Sequence, residues 1–315
     1  MKANFLSPDS PDAGAVLGEE GVVFFDALFD AEQVARTREA LARYEREVLD
    51  AVPSAYVDRY DDGTLRSLLD LHHYDTWFHS VAHDPRLMDL VRRAAPWDPV
   101  LYYVETFPKP PGAGALPAHQ EIFTVPVEPP DFVHLWIALE DVTSANGGMA
   151  FYRRSHRLGI APHVQQSRYF GVEQALLDRM ASLRIEPDFP AGSAALFDCH
   201  TIHVSGANES DRPRPVLVIG FRGAHTLVKS DEEVLANCVL RICREELGVS
   251  YELDDDLLAK GNAEGVNRVL ERIWKDYGVR VSPAALGRIR TPAALAAHID
   301  AVSAGDDHGK GAEPR

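Results

Sequence analysis

Between residues 100 and 223 the chain breaks into short runs rich in β-branched and aromatic residues. These are VLYYVETF (100–107), HQEIFTVPV (119–127), FVHLWIALEDV (132–142), GMAFYRR (148–154), GSAALFDCHTIHVSG (192–206) and RPVLVIGFRG (214–223). Pro, Gly and Asn stand at the breaks. Short strands at such spacing, punctuated by turn formers, predict a β-sandwich or barrel. Helical patterns flank them. DAEQVARTREALARYEREVLD (30–50) carries Val34, Leu41, Val48 and Leu49 among charges behind a capping Asp30, and PRLMDLVRRAA (85–95) repeats the pattern. EQALLDRMAS (173–182) predicts a helical insertion within the strands. After Arg222 the texture turns helical throughout, in DEEVLANCVLRICREELGV, AEGVNRVLERIWKDYGV and TPAALAAHIDAV. The expected organisation is an α+β domain with a jelly-roll core over residues 1–228, a small all-α unit over 229–303 and a disordered tail over 304–315.

Composition limits the functions such a chain can serve. A hydrophobic fraction of 45% over 315 residues is enough for a sizeable core. The formal net charge of −16 argues against a nucleic-acid partner, because phosphate contacts need a positive field. No apolar run reaches the ~18 residues of a membrane span, and MKANFLSPDSPDAG has no signal-peptide core. Cys199, Cys238 and Cys243 are odd in number and lack metal-binding spacing, which fits a reducing cytoplasm.

His119 and Glu121 form an H-x-E pair ahead of a β-rich run. On a strand, positions i and i+2 share a face, so the imidazole and carboxylate would project together. His203 lies 84 residues further on, with Ser205 on its face and Arg214 eleven residues beyond. Two imidazoles and one carboxylate suit non-haem Fe(II) with coordination positions left open. A guanidinium such as Arg214 can grip a carboxylate with two hydrogen bonds. Each residue also has a plainer explanation: a strand-edge pair for His119 and Glu121, a hydrogen-bonded core histidine for His203. His200 competes with His203, although i and i+3 face opposite ways on a strand. Arg212 competes with Arg214.

Taken together, HQE, HLWIALEDVTSANGGMAFYRRSHRLG, GSAALFDCHTIHVSGANES and RPRPVLVIGFR resemble the phytanoyl-CoA dioxygenase family of iron- and 2-oxoglutarate-dependent oxygenases. The likeness extends over about residues 20–223, including GVVFFDALFDAEQVARTREAL and the KPPG segment at 109–112. It implies a double-stranded β-helix of the cupin-like, jelly-roll kind, with Fe(II) held by His119, Glu121 and His203. Arg214 and Ser205 would take the far carboxylate of 2-oxoglutarate, with Trp136 facing the site as a co-substrate or substrate contact or simply as a core aromatic. O2 would be the oxidant, and no protein acid or base is required. The expected reaction is hydroxylation of a small metabolite or a carrier-bound intermediate. Glu121 disfavours halogenation, since the halogenases of this fold lack the carboxylate. The rivals are a non-catalytic jelly-roll binding module and a cupin-type metalloenzyme independent of 2-oxoglutarate. The sequence departs from the family pattern in two places. Glu121 replaces the usual Asp, and YRRSH (152–156) replaces a Pro-Gly-Ser-His turn, so Arg153 and Arg154 are either solvated or placed for an anionic substrate.

Residues 229–303 resemble an acyl or peptidyl carrier domain, with an acidic DDDLL loop, an amphipathic helix ending in YGV and a last helix opened by TP. The serine that would accept phosphopantetheine is missing. KGNAEG (260–265) puts Ala263 or Glu264 in its place. Such a unit would carry nothing. It would either dock a carrier protein or synthetase partner, or serve solubility or oligomerisation.

Overall fold

The computed structural model describes residues 3–123, 125–166, 169–247 and 251–307. The chain divides into two compact units, residues 1–227 and 228–315.

The first unit is built on an eight-stranded sheet. Its order is Phe5–Leu6, Val22–Phe25, Ala194–Asp198, Phe132–Ala138, Val216–Gly223, Pro99–Thr106, Leu65–Leu68 and Val57–Arg59. A four-stranded sheet follows the order Arg184–Ile185, Met149–Tyr152, His203–Ser205 and Leu116–His119. All these pairings are antiparallel except that of Phe5–Leu6 with Val22–Phe25. The strand FVHLWIA shows why the core has two layers. Its alternate residues Val133, Leu135 and Ile137 pack with Leu41, Tyr44, Phe78, Leu87 and Leu90 of the helical segments. Phe132, Trp136 and Ala138 point the other way and pack with Met149, Phe151 and Ile185 of the smaller sheet. Every residue of the strand is therefore buried, as expected where a sheet is covered on both faces. At Gly220 a side chain has no room: a Cβ there would lie 2.7 Å from the Phe132 ring and 2.8 Å from Tyr103. The ladder shifts register between Gly220 and Phe221, as at a β-bulge.

Local structure departs from the sequence expectations in several places. The helix anticipated over 30–50 is α-helical only over Ala31–Arg43, under an Asp30–Gln33 capping box. It widens into a π turn at Tyr44–Val48 and closes with a 3-10 turn at Leu49–Ala51. The wider turn keeps Val48 and Leu49 packed on the core beside fully buried Tyr44. The run GSAALFDCHTIHVSG is not one strand. Ala194–Asp198 joins the large sheet and His203–Ser205 the small one. The insertion at 173–182 forms a helix over Gln174–Arg179 and a 3-10 turn over Ala181–Leu183.

The described residues of the second unit beyond Val228 are helical, over Asp231–Leu247, Leu257–Lys260, Ala263–Tyr277, Pro283–Leu286 and Pro292–Asp307. Val239, Ile242, Tyr251, Val269, Ile273 and Leu295 form its core. Asn262 caps the helix Ala263–Tyr277 by accepting from Gly265 N at 2.7 Å, and Gly278 ends it at φ 69°. The last helix runs through 304–307, which had been expected in the tail. Extending an Ala-rich helix fixes one residue for each bond gained, so Ser and Gly at its end do not stop it. Residues 308–315 of that expected tail lie outside the described residues. No helix among those described is long and apolar enough to cross a membrane.

Candidate active site

His119 and His203 come from strands that pair directly, with their Cα atoms in register. Their rings sit 4.2 Å apart, centroid to centroid. Glu121 arrives differently from the sequence expectation. The strand ends at His119 and Glu121 opens a 3-10 turn over Glu121–Phe123. The turn, not strand alternation, swings the carboxylate back beside the imidazoles. Glu121 Oε2 lies 3.7 Å from His119 Nε2 and 3.6 Å from His203 Nε2. One donor atom from each of the three residues falls within 4.8 Å of the others. A first-row metal bound at about 2.0–2.2 Å to each donor would hold them roughly 3 Å apart, so the cluster needs only a small contraction.

The second nitrogen of each imidazole is already committed. His119 Nδ1 lies 2.9 Å from Pro117 O and His203 Nδ1 lies 3.0 Å from Thr201 O. A carbonyl only accepts, so each Nδ1 carries the proton and each Nε2 presents its lone pair to the cluster. Burial, aided by His119, pushes His203 down to about 3, so this ring is neutral at physiological pH. Burial also acts to raise Glu121, yet His134, His119 and His203 hold it well below the usual carboxylate range. Burial acts to lower His119, but the attraction of Glu121 outweighs it and raises this ring.

Sequence patterns missed two residues that frame this cluster. His134 Nε2 lies 3.8 Å from Glu121 Oε1, and the same nitrogen meets the Tyr103 hydroxyl. The available clue was its position two residues before Trp136 on the same strand face. Gln120, the middle residue of H-x-E, is fully buried and faces away from the cluster. Its Nε2 donates to Gly159 O at 2.8 Å and His200 O at 2.6 Å, and its Oε1 accepts from Ala161 N at 2.7 Å. Those bonds pin the turn that carries Glu121. His200 lies outside the cluster, with its Nδ1 3.1 Å from Asp198 Oδ1 and 3.4 Å from Cys199 Sγ.

His119, Glu121, His203, Ser205, Arg214 and Trp136 all line one cavity of about 530 Å³. Arg214 is 3% exposed, and its Nε and Nη1 are buried with no hydrogen-bond partner. Its guanidinium carbon stands 5.7 Å from the Trp136 ring centroid. Burial lowers this group to about 10 despite the attraction of Glu140. An unsatisfied guanidinium inside a cavity is a fitting receptor for a carboxylate. Arg212, by contrast, has an 81% exposed side chain beside Asp211. Arg153 and Arg154 do not line the cavity. They pair with Glu20 at 3.3 and 2.9 Å, and Arg154 adopts φ 65°, the left-handed turn at the position where the family pattern has glycine. A second hollow of about 550 Å³ lies over Glu271, Trp274 and Lys275 in the helical unit, but these side chains are exposed and converge on no polar group.

Comparison with known proteins places this geometry in context. The chain is 27% identical to phytanoyl-CoA dioxygenase domain-containing protein 1 of Danio rerio over 175 residues, covering 52% of this chain and 59% of that protein. It is 24% identical to a probable alpha-ketoglutarate-dependent hypophosphite dioxygenase of Stutzerimonas stutzeri over 223 residues, covering 65% and 76%. The chain thus spans less than two thirds of the first relative's length. Its fold is similar to that of EctD from S. alaskensis solved with 2-oxoglutarate and 5-hydroxyectoine, with a TM-score of 0.61 at 19% identity over 72% of this chain and 81% of that one. The sequence matches a family profile over residues 17–216, well over half of the chain, and on that match it belongs to the phytanoyl-CoA dioxygenase family.

Proposed function

We propose that this chain is a non-haem Fe(II)- and 2-oxoglutarate-dependent dioxygenase that hydroxylates a small metabolite or a carrier-bound intermediate. The observation that carries the proposal is the pairing of two features in one cavity: the His119–Glu121–His203 donor set and the open guanidinium of Arg214. Two facing sheets with helices packed on one of them support the jelly-roll assignment. Two neutral nitrogen donors and one carboxylate suit iron. Both imidazoles are held by backbone carbonyls in the tautomer that turns Nε2 to the cluster.

Iron together with 2-oxoglutarate and O2 supplies oxidation of a substrate C–H bond, with succinate and CO2 as co-products. The chain's own residues perform the positioning. Arg214 binds the distal carboxylate, with Ser205 beside it on the small sheet. Trp136 walls the guanidinium and keeps bulk water from it. Gln120 and His134 hold Glu121 in place. Phe107, Leu116, Met149 and Val218 add apolar side chains to the cavity lining, beside Tyr60 and Arg66, and would help choose the substrate. The test is whether purified protein given Fe(II) converts 2-oxoglutarate to succinate, even slowly and without a substrate. Binding of both ligands with no turnover would favour a non-catalytic module. Metal-dependent oxidation without 2-oxoglutarate would favour a cupin-type enzyme.

For residues 229–303 we propose a carrier-like helical unit that has lost its attachment point and docks a carrier protein or synthetase partner. Ala263 and Glu264 form the first turn of the helix Ala263–Tyr277, behind the Asn262 cap, and neither offers a hydroxyl. A phosphodiester to pantetheine cannot form without one. Incubation with a phosphopantetheinyl transferase and coenzyme A is expected to leave the intact mass unchanged. A gain of one pantetheine arm would overturn the loss of the attachment point.

A further inference from the structure

A second group of metal-type donors gathers where the strand Leu65–Leu68 gives way to the short helix Leu71–Tyr74. Asp70, His72 and His73 each offer one donor atom within 4.8 Å of the others, the same spread as the set formed by His119, Glu121 and His203. None of the three lines the cavity. Asp70 turns the chain at φ 49°, a left-handed conformation that Asp adopts more readily than most residues. The rings of His72 and His73 lie 4.1 Å apart, centroid to centroid. His79 and His83 stand outside this set: they stack on each other at 4.3 Å, and His83 Nδ1 is committed to His79 O at 2.8 Å.

His72 is the informative member. Its side chain is 8% exposed, and its Nδ1 is buried with no hydrogen-bond partner. That nitrogen faces Asp70 Oδ1 from 3.9 Å, too far for a hydrogen bond. A buried nitrogen left unmet costs free energy that a bound group can recover. Burial, helped by His73, His83 and His79, pushes His72 down to about 4, so the ring is neutral, the form that ligates. The Tyr44 hydroxyl, also buried without a hydrogen-bond partner, is raised to about 12 by burial and then by Tyr74, Asp75 and Asp70. Asp75 is already paired with Arg43. Among the described residues no Lys or Arg pairs with Asp70. A carboxylate without a cation and a buried imidazole without a partner are both satisfied by one small divalent ion.

We propose that Asp70, His72 and His73 form a second metal site, separate from the cavity, that takes a late first-row divalent ion such as Zn(II). Two imidazoles and a carboxylate bind Zn(II) at about 2.0–2.2 Å with water completing the coordination, which draws the three donors in to roughly 3 Å. Affinity for such sites rises along the first-row series, with Mn(II) and Fe(II) at its low end, so Zn(II) is the ion of choice here and Fe(II) is not. The bound ion cross-links the turn that ends the strand Leu65–Leu68, and that strand carries Arg66 to the cavity wall. Its role is to brace this wall, since none of its ligands reaches the cavity.

Calorimetric titration of the untagged full chain with Zn(II) reads the site without turnover. Wild type is expected to bind two equivalents and His73→Ala one; His73 is exposed, so this change spares the fold. With the other donor set disabled, His203→Ala should still bind one equivalent. Adding His73→Ala or Asp70→Asn to it should weaken that binding by about a hundredfold or more, since loss of even an outer partner costs 10- to 100-fold. Co(II) as the probe separates this site from Asp198, Cys199 and His200, the remaining cluster of metal-type donors among the described residues. Asp70, His72 and His73 supply only nitrogen and oxygen, so Co(II) on His203→Ala should show d–d bands and no thiolate charge-transfer band. A thiolate band that disappears in Cys199→Ala overturns the assignment, as does a second equivalent that survives both His73→Ala and Asp70→Asn. One equivalent in wild type and none in His203→Ala also overturns it, and leaves the set of His119, Glu121 and His203 standing.

Discussion

Replacing His203 or Glu121 by Ala is expected to abolish 2-oxoglutarate turnover, whereas His200→Ala leaves it within a few-fold of wild type. The contrast follows from where the two histidines spend their nitrogens. His203 Nε2 faces Glu121 at 3.6 Å and its Nδ1 is satisfied by Thr201. His200 Nδ1 faces Asp198 and Cys199, its ring does not line the cavity, and what the site uses of this residue is its carbonyl, which alanine keeps. Losing an outer partner of a metal ligand already costs roughly 10- to 100-fold, so losing a ligand itself costs more. Succinate formation measures the rate, and thermal unfolding separates chemistry from folding. Wild type should gain thermal stability with Fe(II) or Mn(II), by about 2.7 kcal/mol at a hundred times Kd, and the two ligand variants should not. Despite burial, His119 is raised above an ordinary histidine by Glu121, so as the pH falls a proton competes with the metal for its Nε2. Turnover at limiting metal is therefore expected to fall as pH drops through the His119 titration. Full activity in His203→Ala would show that the donor set was wrongly drawn.

Much of this site was legible in the chain because its parts obey short-range rules. The alternation in FVHLWIA sorts Val133, Leu135 and Ile137 from Trp136 without reference to any partner. The spacing H-x-E, the distant H-x-S and the arginine beyond it survive as a pattern because each member occupies one position in a local element. What could not be seen depends on who meets whom. No periodicity announces that Leu116–His119 and His203–Ser205 pair in register, or that Lys109 stands opposite Arg214 across 105 residues of chain. The 3-10 turn at Glu121 was missed for a related reason. The apolar, β-branched run after it has strand propensity, and the tertiary bonds of Gln120 override it. Lys109 is buried yet was visible only as a letter in KPPG, since a lysine in a loop is ordinarily solvated.

Arg214→Met carries the second large effect, on affinity and not on rate. The guanidinium is buried with Nε and Nη1 unpaired, so an incoming carboxylate meets a donor fork that water does not already satisfy. Charge-assisted contacts of this kind contribute about 1.5–3 kcal/mol, which corresponds to a roughly 10- to 150-fold rise in the 2-oxoglutarate KM. At saturating co-substrate kcat should change much less, because Arg214 lies at the far end of the diacid from the donor set it does not touch. Arg212→Ala, at an exposed position, should leave KM unchanged. Stability should move in the opposite direction from function. In the ligand-free protein the variant removes one of two opposed, buried cations, so its unfolding midpoint is expected to equal or exceed that of wild type. Adding 2-oxoglutarate with Mn(II) should then raise the wild-type midpoint and move that of Arg214→Met far less. An unchanged KM in Arg214→Met, with Arg212→Ala impaired, would transfer the carboxylate contact to the neighbour and detach the cavity's buried cation from the co-substrate.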